Sequence, residues 1–244
     1  MELVLDFGNT RVKLALFEGE ETVLEQDLAG LSPEELVRFL DEYPGIDASI
    51  LSSVITLPEE IGKILSSRTF FIRLDENTPV PVINRYTTPS SLGKDRLAAA
   101  VGGASLFPSR DVLVITAGTA LTFDFVNAAG EYIGGSISPG MQMRFRALHT
   151  FTDRLPLLSF REPVGLAGDS TDDSILSGVV NGMAAEIAGI AAAYGSKYPG
   201  LQVILSGGDL NYFVKRLKIS IFARPNIVVY GLRKILAFNV NHPR

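Results

Sequence analysis

Asp6, Gly8, Asn9 and Thr10 lie between apolar stretches at 3–5 and 12–17, and Lys13, inside the second stretch, completes a set within eight residues. Glycine lets an anion approach the backbone closely, and successive N–H groups turned inward form a phosphate nest. A carboxylate such as Asp6 can hold magnesium through water, and Lys13 can offer positive charge to the same phosphates. The same residues also read as a β-hairpin with a polar turn. Two more glycine turns follow apolar runs, at 117–119 and at 206–209. Gly93-Lys94-Asp95-Arg96 stands just before an alanine-rich stretch, where a helix N-terminus would present backbone donors.

The composition narrows what chemistry is open. The 244 residues contain no cysteine, which excludes disulfides, thiolate metal sites and thiol nucleophiles. With only His149 and His242, a histidine triad or zinc site would rest on His149 alone. A formal charge of −5 disfavours a dedicated nucleic-acid binder, so an anionic substrate needs a local positive site. Met1-Glu2 leads straight into a strand, without the basic and long apolar segments of a targeting peptide. The apolar stretch 179–194 carries Asn181, Glu186 and several glycines; it is expected to be a buried core helix too short to span a bilayer. A cytoplasmic protein with neither nucleic acid nor membrane as partner is expected.

The elements that must position these residues follow from periodicity. Strands are predicted at 3–5, 12–16, 22–28, 48–53 and 69–74. Helices begin after Ser32-Pro33-Glu34-Glu35, with Ser32 as N-cap, and at Pro58-Glu59-Glu60. This β-β-β-α-β-α order argues a mixed sheet covered by helices. Three prolines at 79, 81 and 89 rule out a continuous helix over 77–89, and a small-residue helix follows at 97–106. Strands at 111–115, 121–126 and 132–137 then repeat the opening layout about 110 residues later, which suggests a duplicated domain. A helix at 142–149, a long helix from the 169–173 cap to about 193, a strand at 202–205, the segment 226–229 and an apolar helix at 230–238 complete the chain. The predicted halves are 1–109 and 110–244.

Strand ends in an α/β sheet are where loop N–H groups and helix N-termini converge on ligands. Three glycine turns at such ends resemble the actin-like ATPase superfamily. The ordered set Asp6-Phe7-Gly8-Asn9-Thr10-Arg11-Val12-Lys13, Gly93-Lys94-Asp95-Arg96, Gly118-Thr119-Ala120-Leu121-Thr122-Phe123-Asp124, Gly134-Gly135-Ser136-Ile137-Ser138-Pro139-Gly140 and Leu205-Ser206-Gly207-Gly208 resembles type III pantothenate kinases over nearly the whole chain. The resemblance implies two similar α/β lobes of RNase H-like, actin-like fold, each a mixed sheet flanked by helices, with an ATP cleft between them. It implies ATP-dependent phosphorylation of pantothenate, the first committed step of coenzyme A synthesis. Residues Asp6, Phe7, Gly8, Asn9, Thr10, Arg11, Val12, Lys13 and Thr119 would serve ATP, with Mg2+ at Asp6. Asp95 would be the catalytic base, and Tyr86, Gly93, Lys94, Arg96 and Thr171 would surround pantothenate. A homodimer is implied, packed through helices near 97–106 and 179–194. The family usually has an aspartate where this chain has Thr116, so the use of K+ or NH4+ is expected to be relaxed or to fall to backbone carbonyls. Other small-molecule kinases of the superfamily, and a non-catalytic nucleotide-binding regulator, are the alternative readings.

Overall fold

A computed structural model describes residues 1–242. The first elements are β1 (Glu2–Phe7), β2 (Val12–Glu18), β3 (Glu21–Leu28), α1 (Pro33–Glu42), β4 (Ala48–Ser53), α2 (Glu59–Arg68) and β5 (Phe70–Arg73). They form a five-stranded sheet of order β3-β2-β1-β4-β5, in which β1 is antiparallel to β2 and parallel to β4. The helix start at Ser32 is the capping box the sequence predicts: Ser32 Oγ accepts from Glu35 N, and Glu35 accepts from Ser32 N.

Next come the short β6 (Ile83–Asn84), a single 3₁₀ turn, α3 (Lys94–Leu106), β7 (Val112–Ala117), β8 (Ala120–Val126) and β9 (Glu131–Pro139). Then follow α4 (Met141–Thr150), α5 (Thr171–Lys197), β10 (Gln202–Ser206), α6 (Leu210–Val214), β11 (Phe222–Ala223) and α7 (Ile227–Asn241). The second sheet has the order β11-β10-β7-β8-β9-β6. Its strands β9-β8-β7-β10-β11 repeat the third-second-first-fourth-fifth order of the first sheet, as a duplication requires.

By compactness the chain divides into two units, one holding Met1–Ser109, Val126–Ile133 and the segment from Asn226 onward, the other Arg110–Phe125 and Gly134–Pro225. In the first unit, strand alternation sends Leu3, Leu5 and Phe7 to one face, where they meet Leu36 and Leu40 of α1 and Ile61 and Leu65 of α2. Val4, with Ala15 and Ile50 beside it, faces the other way, against α3 and Val229, Leu232, Ile235 and Leu236 of α7. In the second unit, Leu113, Ile115, Phe123 and Phe125 pack on Met183, Ile187 and the rest of the buried stripe of α5.

Three sequence expectations change. Helix α3 begins at Lys94 instead of 97, which puts Asp95 and Arg96 in its first turn. Helix α7 takes in Ile227, Val228 and Val229 despite their β-branched side chains, because it is held against α3. Helix α5 runs for 27 residues, to Lys197 instead of about 193, and, unlike the apolar stretch 179–194 alone, is long and apolar enough to cross a membrane by length and composition. A core helix passes the same test, and Ile175, Leu176, Val179, Val180, Met183 and Ile187 are buried in the second unit's core.

Helices α3 and α7 approach until only glycine fits. A Cβ on Gly231 would stand 1.8 Å from the Ala98 carbonyl oxygen, and one on Gly102 would stand 2.7 Å from that of Ile227. Gly231→Ala is therefore expected to destabilise the protein by about 2–3 kcal/mol or more, in the range of overpacked cores. Gly195→Ala, in an exposed stretch of α5 with nothing within 4 Å, should be neutral or stabilising. Urea unfolding of the two variants checks this contrast.

Candidate active site

Strand register assembles the first part of the site. Asp6 lies opposite Lys13 on β2 and opposite Ser52 on β4, while Lys13 lies opposite Asp27 on β3. Paired residues of neighbouring strands project to the same face. A polar row Asp27–Lys13–Asp6–Ser52 thus crosses four strands on the face that holds α3 and α7, one step beyond the apolar row of Ala15, Val4 and Ile50. Asp6 stands at the carboxyl end of β1, where an α/β sheet presents groups to ligands.

Asp6 is 9% exposed. Burial pushes its carboxyl up to about 6, with the neighbouring Asp95 charge adding to the rise; Ser52 and Lys13 oppose it. The Ser52 hydroxyl is buried beside Asp6 without a well-formed hydrogen bond of its own. Lys13 forms an ion pair with Asp27 at 3.3 Å and donates to Asn226 Oδ1.

After Phe7 the chain turns, with Gly8 N donating to Arg11 O at 3.0 Å, and Asn9, Thr10 and Arg11 are exposed. The Phe7 and Val12 side chains are buried in the core of the first unit, which leaves only their backbone for a ligand. Asp95, in the first turn of α3, accepts from Arg96 N at 2.9 Å, and a Cβ on Gly93 would stand 2.6 Å from its Oδ1. Glycine at 93 therefore leaves room for the carboxylate at the helix start. Arg96 is buried, its guanidinium 5.8 Å from the Tyr86 ring centre, and Tyr86 stacks on Tyr132 at 6.1 Å. Lys94 Nζ is 3.5 Å from Glu76. The first unit thus brings together Asp6, Lys13, Asp95, Arg96 and Tyr86.

The other predicted residues belong to the second unit. Thr119 is exposed in the turn between β7 and β8. That turn is clamped by glycines: a Cβ on Gly140 would stand 2.0 Å from Gly118 O, and one on Gly207, at φ +97°, 2.2 Å from Ala117 O. The glycine turns at 134–140 and 206–208 therefore have a packing role that sequence spacing did not reveal. Thr116 Oγ1 is buried at the end of β7 without a hydrogen-bond partner. Ser170, not Thr171, caps α5 by accepting from Asp173 N at 3.1 Å. Thr171 lines a cavity of about 750 Å³ with Leu148, Leu155, Gly168, Asp169 and Ser174.

No group of three His, Cys, Asp or Glu side chains able to hold a metal occurs among the described residues. Magnesium that arrives with nucleotide phosphates is held by one or two carboxylates and keeps waters, and the buried, strand-end Asp6 fits that demand.

The two sheets of matching strand order, flanked by helices, give the chain the duplicated α/β fold of the actin-like class. Its fold matches an N-acetylmannosamine kinase candidate from Listeria monocytogenes (TM-score 0.56, 12% identity, 98% of this chain and 99% of that one). It also matches a Baf family transcriptional activator candidate from Campylobacter jejuni (TM-score 0.59, 20% identity, 98% and 99%). A profile of type III pantothenate kinase matches residues 2–193. Proteins named type III pantothenate kinase from Phocaeicola vulgatus and Christiangramia forsetii are 45% and 40% identical, over 98% of this chain and 99% of theirs. The chain belongs to the type III pantothenate kinase family. It is an enzyme of ATP-dependent pantothenate phosphorylation, the opening step of coenzyme A synthesis.

The raised Asp6 carboxyl has a consequence for stability. The folded protein holds this proton up to about pH 6 and the unfolded chain loses it near 3.8, so Asp6 makes stability fall as pH rises across that window. Asp6→Asn should therefore gain stability over the parent as pH rises from 4 to 7, by on the order of 2 kcal/mol, and no further above that. Chemical denaturation of both proteins at a series of pH values measures the gap.

Proposed function

We propose that Asp95 activates the primary hydroxyl of pantothenate for attack on the γ-phosphoryl group of ATP. The observation that carries this reading is the placement of Asp95, in the first turn of α3, near Asp6 at the end of β1. Phosphoryl transfer demands positioning, charge neutralisation and a carboxylate able to accept the acceptor's proton. In this reading Asp95 takes that proton, and Arg96, supported by the Tyr86 ring, grips the pantothenate carboxylate with two parallel N–H groups. Gly93 and Lys94 join Arg96 around pantothenate on the first unit, and the Thr171 hydroxyl, on the second unit, is assigned to the same substrate.

The backbone from Asp6 to Val12, the Lys13 ammonium and Thr119 hold the ATP phosphates. Asp6 would hold Mg2+, whose charge offsets that of the phosphates. With a neutral hydroxyl at Thr116, dependence on K+ or NH4+ is weaker than a carboxylate there would give.

The enzyme works in the cytoplasm as a homodimer. Gly178, Gly182, Ala185, Gly189 and Ala192 form an exposed small-residue line along α5, which supports this pairing. The part of the interface expected near 97–106 is revised, because residues 97–103 of α3 are buried within the first unit.

Coupled turnover with pantothenate and ATP tests the assignment. Asp95→Asn should lose about 10²–10⁴-fold in kcat while nucleotide affinity stays near the parent's. A variant within a few-fold of the parent would remove Asp95 from the base role. Arg96→Lys replaces a two-pronged grip with a point charge, so KM for pantothenate should rise about tenfold with that for ATP little changed. Equal losses for both substrates would make Arg96 a support of the fold instead.

A further inference from the structure

Asn226 is one of two non-glycine residues with positive φ among the described residues, at φ 54°, and it stands at the start of α7. An asparagine there ordinarily turns its side chain back to cap its own helix. Asn226 makes no such bond. Its Oδ1 accepts from Lys13 Nζ, and its Nδ2 donates to Glu25 Oε1. Glu25 and Asp27 alternate along β3 on the same face as Lys13.

We propose that Asn226, with Asp27, is a positioning residue for ATP: the two hold the Lys13 ammonium so that its remaining N–H points at the nucleotide phosphates. This rests on the reading above in which Lys13 contacts those phosphates. The ammonium has three donors. Asp27 engages one at 3.3 Å and Asn226 a second, which leaves one direction open. An uncommitted lysine would lose the freedom of four rotatable bonds when ATP arrives; one already held loses less.

The chemistry also specifies asparagine. A carboxylate at 226 would still accept from Lys13 but would repel Glu25, whereas an amide accepts from the one and donates to the other. The left-handed backbone there is a conformation that asparagine tolerates better than most residues and glycine adopts freely.

The test compares N226G, the N226D/E25Q pair and K13M by steady-state kinetics and thermal melting. N226G keeps a backbone suited to φ 54° and removes only the side chain. It should raise KM for ATP about three- to tenfold, less than a full hydrogen bond to a charged group is worth because Asp27 still holds Lys13, with KM for pantothenate within twofold. N226D/E25Q restores an acceptor for Lys13 and a donor from position 25, and should bring KM for ATP back within twofold of the parent. If N226G lowers the melting temperature but leaves KM for ATP unchanged, Asn226 is only a fastener of α7 and the proposal falls. If both KM values rise equally, or N226D/E25Q fails to restore ATP binding, it falls as well. K13M separates this from the underlying assignment. Unchanged ATP kinetics in K13M overturn the phosphate role of Lys13, whereas a loss in K13M without one in N226G overturns the positioning alone.

Discussion

The contact between α3 and α7, closed by Gly102 and Gly231, is the constraint on which the first unit's half of the site depends. Backbone against backbone is a stiff arrangement, because no side chain can rotate to relieve a shift. Helix α3 carries Asp95 and Arg96 in its first turn, so a displacement of the helix would move the proposed base relative to the strand-end Asp6. Helix α7 is in turn fastened to the opening hairpin. Buried Arg233 donates to Glu2 and Glu20 at 3.0 Å and lies 5.0 Å from the centre of the Phe17 ring. Each charge there has a partner, which is the condition under which a buried cation is tolerated. Sheet, α3 and α7 therefore hold one another, and the carboxylate of Asp95, the proposed base, inherits that rigidity.

An enzyme of net charge −5 that handles two anionic substrates needs its positive groups in the right places. The cations near the site are committed before any ligand enters: Lys13 to Asp27, Lys94 to Glu76, and Arg96 to a place over Tyr86. Such pairing limits the side-chain freedom that binding must quench, at the cost of competition between the resident carboxylate and the incoming phosphate. Asp6 and Asp95 make the opposite arrangement: burial raises the Asp6 carboxyl, and the nearby Asp95 charge adds to the rise. A divalent cation brought in with ATP and held at Asp6, as proposed above, would relieve that repulsion.

Much of this was legible in the sequence because it is local. The capping box at Ser32, the alternation of β1 and β2 and the repeated strand-turn-strand layout are written in runs of a few residues, and the structure follows them. What was not legible depends on partners far along the chain. Ile227-Val228-Val229 carries no local helix signal, and the segment is helical where its side chains pack in the first unit's core beside α3. The bond from Asn226 to Lys13 joins residues 213 apart, and no spacing rule reaches that far. Gly140 and Gly207 looked like ligand loops, yet they also have to admit a neighbouring backbone at 117–119. Two-residue strands such as β6 and β11 are too short to produce a period.

The return of α7 to the first unit sets an order of events on the ribosome. Val229, Leu232, Ile235 and Leu236 fill a core whose other members, from Val4 to Val101 and on to Tyr132, are made well before them. The second unit, complete by Pro225, has all its residues synthesised sooner. The half of the protein that is translated first is thus the last able to close, and its apolar sheet face stays open to solvent or chaperone throughout the synthesis of the other half.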